Sequence, residues 1–114
     1  MIKRREELNV VSETNANGKE SLFLADLTDF EGINPKLRMF SHASLMPGES
    51  VDYHVHNGEF ESYYIMSGVG LYDDNGKEVV VHPGTVTFTP SGEGHGIKNV
   101  GDVALEFIAL IIKD

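Results

Sequence analysis

Nine residues, Tyr53-His54-Val55-His56-Asn57-Gly58-Glu59-Phe60-Glu61, hold most of what this chain discloses. In a β-strand residues two apart share a face, so His54 and His56 project the same way with Cβ atoms about 6.5 to 7 Å apart. That spacing lets them chelate one ion. Asn57-Gly58 is a hairpin signal, because a type I′ turn needs positive φ at both central positions. Such a turn sets His56 opposite Glu59 and His54 opposite Glu61. Directly opposed Cβ atoms lie about 4.5 to 5.5 Å apart, which brings Glu61 within ligating distance of the same ion. Glu59 shares the face but sits nearer the hairpin tip, and hence nearer the solvent. Paired strand histidines also have a plainer use, hydrogen bonding to a carboxylate across the ladder. Spacing by itself leaves both readings open.

Outward from this segment the chain is punctuated by Asn17-Gly18, Pro47-Gly48, Asn75-Gly76, Pro83-Gly84 and the run Pro90 to Gly92. Between the marks lie segments mostly rich in β-branched and aromatic residues: Leu22 to Leu27, Leu37 to Leu45, Ser50 to His56, Glu59 to Met66, Val69 to Asp73, Lys77 to His82, Thr85 to Thr89, His95 to Val100 and Val103 to Ile112. Short segments at this spacing predict strands. No helical stripe appears except near the N-terminus. Many short antiparallel strands must cover one another or close up to protect their edges, so the fold class is all-β, a sandwich or a barrel.

With 114 residues the chain suits one domain. It has no cysteine, which removes disulfide scaffolds, thiolate zinc sites, iron-sulfur clusters and thiol nucleophiles. Any metal chemistry falls to histidines and carboxylates. Lys and Arg total 9 against 18 Asp and Glu, a formal charge of −9, so no basic stripe exists to bind nucleic acid. The short patch Lys3, Arg4, Arg5 is answered at once by Glu6 and Glu7. No stretch approaches the roughly 18 apolar residues of a membrane span, and the N-terminus lacks the apolar core of a secretory signal, so a cytoplasmic location is expected.

A wider pattern surrounds the nine residues. Five residues separate Gly48 from His54, four separate His56 from Glu61, and six separate Glu61 from Gly68. Further on, Gly84, Pro90, Gly92, His95 and Asn99 are separated by five, one, two and three residues. In these two patterns, over residues 48 to 99, the chain resembles the cupin superfamily: every defining position of both its motifs is filled at the expected interval. The resemblance implies a cupin-type double-stranded β-helix, a jelly-roll barrel open at one end. It implies that His95 joins His54, His56 and Glu61 around one divalent ion, Fe, Mn, Ni or Zn. Three neutral imidazoles and one carboxylate leave such an ion near +1, with two adjacent positions open if it is octahedral.

The barrel is expected over residues 37–114, with the strands and arm of residues 1–36 packing on it or on a dimer partner. Alternation from Glu61 points Tyr63 and Ile65 inward and Tyr64 outward, making Tyr63 the candidate catalytic or pocket-lining donor. The same parity from His54 points Asp52 inward, where it could orient an imidazole, but a solvated place at the rim is the favoured expectation. Phe88 reads as core or pocket wall. His42 and His82 match no motif position and read as structural or exposed. Pro90 and Gly92 shape the turn that delivers His95, and Asn99 pins a neighbouring loop. The last strand is apolar on both faces apart from Glu106, so its outer face needs a cover. A second subunit would supply one, and a homodimer is expected, with residues 8 to 11 as a candidate exchanged segment. The leading functional expectation is a small metalloenzyme acting on a small oxygen-rich molecule, as a dioxygenase, decarboxylase or isomerase. The alternative is a non-catalytic module that binds or senses a small molecule.

Overall fold

The computed structural model describes residues 1–114. Ten strands follow a single 3-10 turn at Arg5–Glu7: β1 Val10–Thr14, β2 Glu20–Asp26, β3 Leu37–Leu45, β4 Ser50–Val55, β5 Glu59–Ser67, β6 Gly70–Asp74, β7 Lys77–Val81, β8 Val86–Thr89, β9 Gly94–Asn99 and β10 Leu105–Lys113. They form a six-stranded sheet in the order β1-β2-β3-β10-β5-β8 and a four-stranded sheet in the order β4-β9-β6-β7, with every pair antiparallel. From β3 onward the chain changes sheet at each connection, except for the β6–β7 hairpin. This is the jelly-roll barrel. No helix is long and apolar enough to cross a membrane.

Period-two patterning builds the core. On β5 the residues Glu59, Glu61, Tyr63 and Ile65 are buried while Tyr64 and Met66 are exposed, and on β10 Leu105, Phe107, Ala109 and Ile111 are buried. The inward residues of both sheets meet in one cluster that runs from Leu22 on β2 through Leu45, Tyr63, Tyr72 and Ile97 to Phe107. β1 and β2 extend the larger sheet of their own chain: Leu22 pairs with Leu45 of β3, and Val11 with Leu24 of β2.

The Asn57-Gly58 hairpin is not formed. β4 and β5 lie in different sheets, and only Gly58 of the two turn residues has positive φ. Gly58 N–H donates to Ser91 Oγ at 2.9 Å, so this turn docks on the β8–β9 loop rather than closing a ladder. Among the three Asn-Gly pairs, Asn75-Gly76 alone meets the type I′ requirement, with φ of 50° and 98° between the paired Asp74 and Lys77. Two motif residues fix the β9–β10 end of the barrel. A Cβ on Gly68, whose φ is +86°, would lie 2.7 Å from the Ala104 carbonyl oxygen. Buried Asn99 donates to the carbonyls of Leu45 (2.9 Å) and Val103 (2.8 Å), and its Oδ1 accepts from Gly101 N–H. It pins the loop as expected.

Candidate metal centre

The sheet change at Asn57 brings the four expected ligands together by a route other than a hairpin. His54 on β4 pairs directly with His95 on β9 in the small sheet, and Glu61 projects from β5 across the barrel. His56 follows β4, and its backbone is clamped by the turn that delivers His95: His56 N–H donates to Glu93 C=O at 3.1 Å and Gly92 N–H donates to His56 C=O at 2.7 Å. Oε1 of Glu61 lies 2.9 Å from Nε2 of His56, 2.7 Å from Nε2 of His95 and 3.8 Å from Nε2 of His54. Nε2 of His56 is 3.1 Å from Nε2 of both His54 and His95. All four donor atoms lie within 4.8 Å of one another.

Each imidazole is held from behind by a different acceptor. His54 Nδ1 lies 2.8 Å from the backbone carbonyl of Asp52, which can only accept. His56 Nδ1 lies 2.7 Å from Glu59 Oε2, and His95 Nδ1 lies 2.8 Å from the Tyr72 hydroxyl, which also bonds Thr89 Oγ1 at 3.0 Å. These contacts put the protons of His54 and His56 on Nδ1 and aim bare Nε2 lone pairs at the centre. Lone pairs 3.1 Å apart repel unless a positive charge lies between them. A divalent ion satisfies that demand. With metal–ligand bonds of about 2.1 Å, ligands at right angles are about 3.0 Å apart and tetrahedral ones about 3.4 Å. Four of the six separations among the donor atoms are 2.7 to 3.1 Å and a fifth is 3.8 Å, so these four residues could hold one such ion. The donor set of three imidazoles and one carboxylate fits Mn, Fe, Ni or Zn.

The centre faces a cavity of about 200 Å³ between the sheets, small beside the pockets that hold drug-sized ligands. Its wall is mostly apolar, with Glu13, Arg38, His54, His56, Glu61 and Tyr63 as the polar members. Tyr63 is 3% exposed, as its parity predicted, and its ring packs 4.9 Å from that of His95 and 4.5 Å from that of Phe107. Its hydroxyl has no hydrogen-bonding partner in the protein, yet no fully enclosed side-chain polar atom lacks one. The hydroxyl therefore opens onto the cavity. Burial, with the charge of Glu61 adding to it, pushes this phenol well above its usual range, so it remains a donor.

Several expectations are corrected. The inward parity of Asp52 from His54 fails, because Asp52 and Tyr53 together oppose Gly96 in a bulge; the carboxylate is exposed and bonds Ser50, the solvated place favoured for it. The Asp52 carbonyl orients the ring instead. Phe88 is 59% exposed and packs on Phe60 outside the barrel. Glu59 is buried rather than at a solvent-facing tip. The guanidinium of Arg38 grips it at 2.7 Å through both Nε and Nη2 and lowers its pKa to about 2, with His56 contributing. His42 turns outward to Glu106 at 3.1 Å, and His82 is exposed, as expected. Arg38, Tyr72 and Thr89 escaped the sequence reading. Inward parity on β6 and β8 could have flagged the last two.

A cupin-domain family model matches residues 41–111. The chain belongs to the cupin family. A relative from Thermotoga maritima, described as an oxalate-binding protein, is 44% identical over 98% of this cupin and 93% of its own length. The crystal structure of a predicted oxalate decarboxylase from Thermotoga maritima superimposes with a TM-score of 0.89 at 43% identity, covering 100% of both chains. A Cupin 2 conserved barrel domain protein from Salinispora arenicola, at 23% identity and a TM-score of 0.78 over 99% of this chain and 88% of its own, shares the fold.

Proposed function

We propose that this cupin binds a small dianion of the oxalate type at a divalent ion held by His54, His56, Glu61 and His95, with Tyr63 donating to the bound ligand. The observation that carries the reading is the convergence of four donor atoms within 4.8 Å at the wall of a small cavity. Such an ion supplies Lewis acidity and chelation for adjacent oxygen atoms. The apolar wall, with Leu24, Met39 and Phe107, lowers the local polarity and so strengthens charge pairing beside it. The Tyr63 hydroxyl, with no protein partner, is aimed to donate to a ligand oxygen. The 44% identical oxalate-binding relative supports oxalate as the first ligand to try.

The reading is of binding without turnover, because two of the three carboxylates near the centre are already committed. Glu61 is committed to the centre and Glu59 to Arg38 and His56, so neither is free to shuttle a proton. Glu13, at the cavity edge, is the remaining carboxylate there. Calorimetric titration of oxalate into the manganese-loaded protein is expected to show one site per chain, absent in the metal-free protein and in His54→Ala. Binding independent of the metal would refute the reading. A formate-release assay on the same sample separates a decarboxylase from a binder, and release at enzymatic rates would overturn the non-catalytic assignment.

The outer face of the large sheet is assigned to a second copy. Phe40, Tyr64, Val86, Phe88, Ile108 and Leu110 lie there, and the only charged side chain on the outward face of β3, β10, β5 and β8 is Glu106, bonded to His42. On a chain of charge −9 this is a face with little like charge to set against a second copy.

A further inference from the structure

We propose that Arg38 and Glu59 are positioning residues that set how tightly His56 holds the ion, and that Arg38 acts only through Glu59. This rests on the metal reading above. Glu59 is buried, and both its oxygens are engaged. Oε1 accepts from Arg38 Nε at 2.7 Å, while Oε2 accepts from Arg38 Nη2 and from His56 Nδ1, each at 2.7 Å. The carboxylate thus lies between a guanidinium and a ligand ring that is itself 5% exposed.

The three rings are not equivalent. His54 is backed by a carbonyl and His95 by a hydroxyl; His56 alone is backed by a carboxylate. An anion accepting from Nδ1–H raises the electron density at Nε2 and locks the ring plane, making His56 the strongest imidazole donor of the set. The fork of Arg38 fixes the plane of that carboxylate, a task a single-point ammonium cannot perform.

A local break in the ladder puts Arg38 there. Opposite β10, Met39 pairs with Ile111 and Leu37 with Ile112, so Arg38 is the extra residue of a bulge. Strict alternation would send it outward with Phe40 and His42. The bulge turns it to the rim of the cavity instead, where it stays 43% exposed beside Glu59. Neither residue belongs to the two motifs, and the pair sits at the barrel mouth.

The test is the affinity for Mn(II) and Co(II), measured by competition with a chelator and without any organic anion, in the 114-residue protein and its Glu59→Gln, Arg38→Met and doubly substituted variants. Thermal unfolding of each metal-free variant monitors the fold. Glu59→Gln is expected to bind about 10- to 100-fold more weakly. Arg38→Met should lose less, about threefold to tenfold, and should add nothing in the Glu59→Gln background, because residues acting in series are not additive. Should Glu59→Gln fail to fold, Glu59→Asp, which withdraws the charge by one methylene, is expected to show an intermediate loss. Wild-type affinity in Glu59→Gln or Glu59→Asp overturns the proposal, as does an Arg38→Met penalty of equal size in both backgrounds. A parent protein that takes up no ion overturns the metal reading and this pair with it; one that binds normally while its Glu59 variants match it overturns the pair alone.

Discussion

The two buried tyrosines of the barrel show how one residue type divides between structure and ligand. Tyr72 bonds His95 Nδ1 and Thr89 Oγ1, so Tyr72→Phe strips two buried polar atoms of a partner and is expected to cost about 1 to 3 kcal/mol in urea unfolding of the metal-free protein. Tyr63 has no such protein partners. Tyr63→Phe should leave that unfolding curve in place and instead weaken oxalate binding to the manganese form by roughly tenfold, the worth of one hydrogen bond. Equal destabilisation by the two substitutions would contradict this division. Glu59 adds a pH signature. Arg38, and secondarily His56, hold its pKa at about 2 against an ordinary 4.5. A depressed carboxyl contributes its full stabilisation above the unfolded value and loses it as pH falls toward the folded one. The stability difference between the metal-free parent and Glu59→Gln should therefore be constant above about pH 5 and shrink steadily from there toward pH 2, as followed by denaturant unfolding. A difference that stays flat across that window would show that Glu59 is not so held.

At the scale of strands and turns, much was legible because it is local. Gly and Pro marks bounded the strands within a few residues, and parity on β5 placed Tyr63 inward and Tyr64 outward. What stayed hidden depends on partners distant in sequence. Nothing in Asn57-Gly58 says that β4 and β5 enter different sheets; that follows from β4 pairing with β9 and β5 with β10. The bulges at Asp52 and at Arg38 likewise exist only relative to Gly96 and to Ile111–Ile112. The ligand set survived the wrong turn because the resemblance to cupins supplied it independently of the hairpin. Gly68 and Gly84 test the turn argument. Both have positive φ, but a Cβ on Gly84 meets nothing within 4 Å, whereas on Gly68 it runs into the backbone of Ala104 and Leu105. Gly84→Ala should carry only the backbone penalty, about 1 kcal/mol, and Gly68→Ala should cost clearly more by chemical denaturation. Similar losses would mean that close approach does not matter there.

For the molecule as a whole, the jelly roll divides its faces: the inner faces hold the core and the four converging side chains, and the outer face of the large sheet carries the apolar side chains that we propose a second copy covers. Light scattering after size exclusion should give twice 12.6 kDa, and Ile108→Glu should halve it while leaving metal uptake intact. A parent that elutes as a single chain would contradict the assignment. The claim beneath all of these is that one cation belongs where three rings and a carboxylate meet. Anomalous diffraction from a cobalt-loaded crystal tests it most directly. A single strong peak about 2.0 to 2.3 Å from Nε2 of His54, His56 and His95 and from Oε1 of Glu61 is the expected result. A peak bound elsewhere, or none among these four atoms at saturating cobalt, would contradict the account.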